Sequence, residues 1–573
     1  MEAAKRPLPY VIPLLVDAIM FPWEFSKMRC KLLAACLILG ALVLPVHAQT
    51  FPKPNYFHEL TSSPRPPQPL PDTKSFRDYI VDGKLRLSLQ DAMLLLLEHS
   101  SQVHIDRLAV TDAEFDVQRA FANFDPSLTS TFSTERTKSA TYSQLQGAPT
   151  LSDLEQQTAF GYAQMFQTGT TLNVGLSADK SSNNSIYNFL NPSISSSLDF
   201  AITQPLLRGN GRFVNRAPIL IARRNVAQSA AQFEGQVSDS IYQLVEAYWY
   251  VVETRENMKI AQKSQDLAQA SYDRDKHALE LGALPPLDIY RSEAEVANRK
   301  VAVIQMQYQL KSAEDQLRRV LGADQDTTIR AVELDLVENP EPSGELVQVD
   351  TKEAVDTALA HRPELEALRQ QMAANDIAIR LDRNGLLPSL SLTGIYNSNG
   401  LGGNQYDTAV TPPALLSRGG LGDAFGQIGG FSYPTYGFTL SLNLPIKNHS
   451  AEANLGNALV SRRRSQYQAR QQEEDIAFQV AAAVHQLEQA RISLDATRVA
   501  SDLSRKSLEA EERKYQLGAQ TIFFVLQAQS QLASAEGAVL QAEINYQLAR
   551  AAVDHATGML LNHYKIEVQK IQS

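Results

Sequence analysis

The chain of 573 residues has only two cysteines, Cys30 and Cys36, and both lie near the N-terminus. Residues 49–573 therefore hold no thiol, which excludes a disulfide scaffold, thiol chemistry and CxxC metal sites there. No run of about 18 apolar residues follows residue 48, so no transmembrane helix is expected, and a bilayer crossing would have to be β-structure. Basic residues are in the minority, and the net charge of −10 argues against a nucleic-acid partner. The ten histidines are scattered without HExxH or paired-ligand spacing. Gly209-Asn210-Gly211 lacks the lysine of a phosphate loop, and no Ser/His/Asp or paired-carboxylate set stands out. No catalytic residue, metal or cofactor is expected, and the chain is read as non-enzymatic.

The N-terminus carries an export leader. Lys27, Arg29 and Lys31 precede the apolar stretch Leu32–Leu44, and Val46-His47-Ala48 offers a cleavage site, so residues 1–48 read as a signal peptide whose start could be Met28. Leu33-Ala34-Ala35-Cys36 also resembles a lipoprotein box. Lys31 leaves only four apolar residues before that cysteine, which favours cleavage near Ala48 over lipidation of Cys36.

What is present is a duplication. Phe124-Asp125-Pro126-Ser127-Leu128 returns as Leu386-Leu387-Pro388-Ser389-Leu390, and the same offset carries Ser88–Ala92 onto Asp350–Ala354. Gln204-Pro205-Leu206 returns as Leu444-Pro445-Ile446, and Leu281-Gly282-Ala283 returns as Leu517-Gly518-Ala519. The spacing from Gly282 to Gly322 equals that from Gly518 to Gly558. A repeat this long is a duplicated supersecondary unit. The expected divisions are a Pro-rich extended segment at 49–86, a first repeat at 87–322, a linker at 323–349, a second repeat at 350–558 and a tail at 559–573.

Each repeat reads as helix, strand, strand, helix. Leu390, Leu392 and Tyr396 alternate with small polar residues, as do Tyr436, Phe438, Leu440 and Leu442. Period two with one apolar face is a half-buried strand, and runs of about 9–11 residues suit a tilted membrane crossing. The first repeat has an additional hairpin, Ala159–Phe166 and Thr170–Ala178 around Gln167-Thr168-Gly169, placed either in the membrane or as an external flap. The span 399–432, rich in glycine, reads as a long loop. Helical stretches follow from Pro218 to Leu281 and from Ala451 to Leu517, each with a narrow apolar seam. At about 1.5 Å per residue each reaches roughly 100 Å. Shorter helices return over Leu287–Leu321 and Ile522–Thr557, and in the first repeat the pre-strand and returning helices together match one long helix.

One copy thus supplies about four membrane-length strands, six with the additional hairpin. That is too few to close a barrel, and open edges in hydrocarbon are costly. Several copies are expected to share one barrel that continues into a ring of helices. Pro-Ser-Leu before the strands, Gln204-Pro205-Leu206-Leu207 after them, and Leu-Gly-Ala followed by Leu287-Asp288-Ile289-Tyr290-Arg291-Ser292-Glu293-Ala294 resemble the TolC-type outer membrane efflux proteins, over roughly residues 85–560. The resemblance implies a mainly α fold with membrane β-structure: a homotrimer whose shared barrel of about 12 strands continues into a periplasmic α-helical barrel. It implies an outer membrane exit duct for efflux or type I secretion, joined to a periplasmic adaptor and an inner-membrane RND or ABC transporter. By the same likeness Leu281, Gly282, Ala283, Leu517, Gly518 and Ala519 form the tip that the adaptor grips. Asp288, Phe524 and Gln527 fall at the periplasmic entrance, where the family often carries acidic residues. Asp288 keeps that pattern. Phe524 and Gln527 depart from it, which makes an apolar constriction at Phe524 the expectation. The rival reading is an exported coiled-coil scaffold with no channel, and the cargo is not legible.

Overall fold

Two helix starts related by the repeat offset are built alike. Ser88 Oγ accepts the Asp91 N–H at 3.1 Å, and the Asp350 carboxylate accepts the Glu353 N–H at 3.2 Å. These caps sit inside a computed structural model that describes residues 75–281, 286–323, 327–342, 344, 346–410, 412–517 and 519–566. The leader at 1–48 lies outside the described residues.

In chain order the first repeat runs through α1 (Ser75–Asp78), β1 (Ile80–Val81), β2 (Lys84–Leu87), α2 (Leu89–His99) and α3 (Ser101–Ala120). Four long strands follow, β3 (Ser127–Ala140), β4 (Thr150–Met165), β5 (Thr171–Asn183) and β6 (Leu190–Pro205), then α4 (Arg212–Glu280) and α5 (Pro286–Leu321). The short α6 (Thr327–Arg330) and β7 (Glu333–Leu336) lead to the second repeat. It comprises α7 (Thr351–His361), α8 (Pro363–Gly385), β8 (Ser389–Asp407), β9 (Ala414–Ser417), α9 (Leu421–Gly429), β10 (Tyr433–Asn443), α10 (His449–Gln516) and α11 (Ile522–Ala556), with α12 (Leu560–His563) after it.

The long helices α4 and α10 have 69 and 68 residues, about 100 Å each. Pro218 lies in the second turn of α4, where little of the hydrogen-bond ladder precedes it. Helices pack side by side in four columns: α3 with α5, then α4, then α8 with α11, then α10. The two-helix columns are joined by a shared device. The pre-strand helix breaks at Ser100 and at Arg362, both extended and equivalent under the repeat offset. A left-handed glycine at the end of the returning helix nestles against each break, Gly322 at φ +74° and Gly558 at φ +73°. A Cβ on Gly322 would stand 2.7 Å from His99 O, and one on Gly558 3.2 Å from His361 O.

Around the first join lies the largest core, with Val237, Ile241, Leu244, Tyr248 and Val251 of α4 against Leu95, Leu96, Leu317 and Leu321. Residues 75–86, read from the sequence as the end of an extended segment, belong to it: Phe76 and Leu85 are fully buried, as is Leu87 directly after them. The prolines stop at Pro71, and Leu85 and Leu87 alternate as a strand that pairs parallel with β7 and antiparallel with β1. The Tyr248 hydroxyl donates to Leu87 O at 3.1 Å and also pairs with Glu338, closing this belt onto the long helix. Burial and the Glu338 carboxylate push the Tyr248 phenol far above its ordinary value.

The long strands form one antiparallel sheet in the order β10-β8-β6-β5-β4-β3, with β9 on β8. Residues 399–407, expected as loop, extend β8. Their glycines make room for a covering helix: a Cβ on Gly400 would lie 2.0 Å from Ala424 O and one on Gly402 2.2 Å from Gly420 O, both in or beside α9. Among the described residues no helix is long and apolar enough to cross a membrane.

Candidate functional site

The sheet is a wall with two unlike faces, and its register defines them. One face carries Leu442, Leu440, Phe438 and Tyr436 of β10, Leu390, Leu392 and Tyr396 of β8, and Ile202, Phe200 and Leu198 of β6. The side chains of β10 stand well exposed, Phe438 at 79% and Tyr436 at 77%, and those of β8 and β6 are partly exposed. A row of apolar side chains with no protein to cover it is what a hydrocarbon environment stabilises. The opposite face carries Thr203 hydrogen-bonded to Thr393 at 2.9 Å, Ser177 to Ser197 at 2.9 Å, and Asn397 paired with Asp199. Such a face belongs in water. At its far end α9 lies on the apolar face, with Ser398 Oγ donating to Ile428 O at 3.1 Å and the Gln427 amide spanning Leu401 N and O at 2.9 Å each.

The helix turns lie at the other end of the columns. Leu281 and Leu517 stand 72% and 83% exposed, and Ala519 is exposed beside them. Gly282, Ala283 and Gly518 lie outside the described residues, as does the side chain of Asp288 on the first turn of α5. The sequence places Phe524 and Gln527 one helical turn apart on α11, and in the structure both are exposed on the same face. Phe524 packs edge to face with Phe523, ring centroids 5.4 Å apart. The other face of that turn, Ile522, Val525 and Leu532, is buried with Leu508 of α10.

A third feature escaped the sequence reading. Asp275 of α4 is completely buried shortly before the first turn; its carboxylate accepts the Tyr515 hydroxyl of α10 at 3.1 Å and the hydroxyl of Ser292 on α5. The Arg274 guanidinium sits over the Tyr515 ring, 5.6 Å from its centroid. One carboxylate thus holds the two helical hairpins together just above their turns. Asp275 sits in a run of charged residues, Asp273-Arg274-Asp275-Lys276, and only tertiary packing singles it out.

Comparison with known proteins places this geometry. The sequence profile of the family described as outer membrane efflux protein matches residues 142–323 and 354–559, more than half of the chain. A curated relative, the outer membrane efflux protein BepC of Brucella suis biovar 1 (strain 1330), is 23% identical over 61% of this chain and 69% of its own length. The open state of the MtrE outer membrane channel of Neisseria gonorrhoeae superposes with a TM-score of 0.57 at 19% identity, covering 82% of this chain and 89% of its own. The outer membrane protein VceC of Vibrio cholerae gives 0.57 at 14% identity, covering 85% and 99%. At these identities the structural likeness concerns the fold.

Proposed function

The chain belongs to the outer membrane efflux protein family, and from that premise we propose that three copies close side by side into one conduit, worked by a periplasmic adaptor and an inner-membrane transporter. The protein itself is an outer membrane channel, the exit duct of an efflux system, with its helices extending into the periplasm.

One observation carries the closed ring of copies: both layers end in open edges, and the edges correspond. In the sheet β3 and β10 each pair on one side only; in the helical layer the columns α3/α5 and α10 are likewise terminal. Each terminal column shows an uncovered apolar seam. Ile105, Leu108 and Phe115 with Val301 and Tyr308 lie on one, and Phe478, Ile492, Val499 and Leu503 on the other. Two different surfaces that complement each other make a head-to-tail contact, which closes as a ring. An exported scaffold would not need a sheet with one apolar face.

The exposed leucines of the turns, Leu281 and Leu517 with Ala519, are then the surface offered to the adaptor, and the Phe524–Gln527 face lines the entrance. The absence of a carboxylate at those two positions leaves Asp288 as the entrance's named acidic residue and makes the constriction at Phe524 apolar rather than cation-attracting. Single-channel recording in planar bilayers tests both readings. The protein is expected to conduct as a trimer, resist block by trivalent cations, and become sensitive to them in the Phe524→Asp variant. Strong trivalent block of the unmodified channel would remove the apolar entrance; a monomer in detergent and in lipid would remove the conduit.

A further inference from the structure

We propose that the additional hairpin β4–β5 is part of the bilayer-crossing wall, so that each copy contributes six strands and three copies close a barrel of eighteen. The inference rests on the trimeric reading above and departs from the twelve strands that the family resemblance implies.

The hairpin is inserted, not appended. β3 pairs only with β4, β4 with β5 across Asp153–Met165, and β5 with β6 across Thr171–Ser181. If β4 and β5 left the wall, β3 would have no partner within the chain. A hairpin is also the smallest insertion that keeps strand direction, so β3 still rises and β6 still descends.

Side-chain parity continues through it. Directly opposed residues place Tyr436, Tyr396, Phe200, Val174, Tyr162 and Leu128 in one row across all six strands. The next row outward holds Leu198, Leu176 and Phe160. From Leu442 to the level of Phe132 the apolar face spans about ten residues, roughly 34 Å along the strand and about 25 Å once tilted, the height of a membrane barrel's apolar band. The alternate positions of the hairpin are Gln157, Ala159, Gly161 and Ala163 on β4 and Asn173, Gly175, Ser177 and Asp179 on β5. A flap standing in water would have no reason to keep one face apolar at the same height as its neighbours.

The hairpin also reaches the full depth of the sheet. Its turn is tied to the junction between β6 and α4: Thr168 O accepts the Gly211 N–H at 3.1 Å, and Thr170 pairs with Gln204. Gly169, at φ +89°, sits where a Cβ would be 2.5 Å from Gly209 O. Charge divides along the same line. Every Asp and Glu of the six long strands (Glu135, Asp153, Glu155, Asp179, Asp199 and Asp407) has the polar-face parity, and every Lys and Arg (Arg136, Lys138 and Lys180) has the other. At equal tilt, circumference grows with strand number, so eighteen strands enclose about twice the cross-section of twelve.

Single-cysteine scanning tests this, because the only native cysteines are Cys30 and Cys36. In the full-length protein with Cys30→Ser and Cys36→Ser, reconstituted in lipid vesicles, F160C and L176C are compared with A159C and S177C, and L440C with T439C as the wall reference. Each is read by its rate with a membrane-impermeant thiosulfonate, and oligomeric state is read on the same sample by native mass spectrometry. The expected result is a trimer in which A159C, S177C and T439C react at least tenfold faster than F160C, L176C and L440C. A trimer in which β10 alternates while both parities of the hairpin react equally overturns the eighteen-stranded wall and leaves the trimeric conduit standing. Absence of a trimer overturns the conduit itself. Should the L440C and T439C pair fail to fold, L442C and S441C on β10 replace it as the reference; should a hairpin variant fail to fold, L172C and N173C on β5 replace it, and both are judged by the same criterion.

Discussion

The two repeats use one backbone device and surround it with different chemistry. Each breaks its pre-strand helix at the equivalent residue, Ser100 or Arg362, and each seats a left-handed glycine against the break. The first join is buried in the largest apolar core and closed by the β2–β7 belt. The second lies against a smaller apolar cluster, Ala358, Leu365, Ile476, Val480 and Val553, into which Arg362 brings a polar group that donates to Gln479 at 2.8 Å and pairs with Glu364 at 3.2 Å. The first repeat also carries four long strands where the second carries two. Column length and the position of the break are therefore what duplication preserved, since both repeats must fill the same height. Core chemistry and strand number were free to diverge, the latter in steps of a whole hairpin.

The sharpest way to break the comparison is at the glycines. Gly322→Val is expected to lower stability by about 2 kcal/mol or more, because a left-handed backbone costs a branched residue that much before any overlap with His99 O. Gly558→Val shares the φ but has more room, and its loss should be smaller. Thermal midpoints by circular dichroism in detergent decide it; equal shifts would mean that the two joins are not graded by space.

Next comes the contact between the repeats just above the helix turns. Tyr515→Phe removes a hydroxyl from the buried Asp275 carboxylate, a penalty of about 1–3 kcal/mol borne by the contact between the two hairpins. The expected readout is a higher single-channel conductance with little change in overall melting. An unchanged conductance would assign Asp275 to packing alone.

A smaller effect separates the strands of the two repeats. Five of the six inward acids lie on the first repeat, so Glu155→Gln with Asp179→Asn should shift the reversal potential in a salt gradient towards lower cation preference. Asp407→Asn, the single such residue of the second repeat, should shift it less; a larger shift there would reverse the assignment.

The smallest is a pH effect at equivalent histidines. His99 is buried beside Phe76, and desolvation holds its pKa below the ordinary value, whereas the equivalent His361 is exposed. A depressed histidine lets the unfolded chain bind the proton first, so the contribution of His99 is complete above about pH 6.5 and declines as pH falls below it. His99→Gln should flatten the dependence of the melting midpoint between about pH 6.5 and 5, and an unchanged slope would remove His99 from it.

Much of this frame was legible beforehand. The recurring landmarks of the two repeats, the punctuating Gly282 and Gly518, and the alternation in β8 and β10 gave the element order and the length of the columns. The break at Ser100 was not legible, since no proline marks it and its extended backbone is held from outside by Gly322. The extension of β8 through Gly400 and Gly402 was read as loop because glycine signals turns locally, whereas here it admits the α9 backbone. Asp275 was hidden among neighbouring charges because its partners, Ser292 and Tyr515, lie 17 and 240 residues away.

The amino-acid order by itself determined periodicity, and with it the order of helix and strand, the reach of the long helices, and which face of each element is apolar. Those are properties of a few consecutive residues, set by backbone geometry and hydrophobicity. Only the folded chain decided which strands lie next to one another, that the inserted hairpin shares the apolar face of its neighbours, and that the buried Asp275 carboxylate ties the two helical hairpins together above their turns. Such pairings depend on groups far apart in the chain being brought within hydrogen-bonding distance, and no local pattern records them.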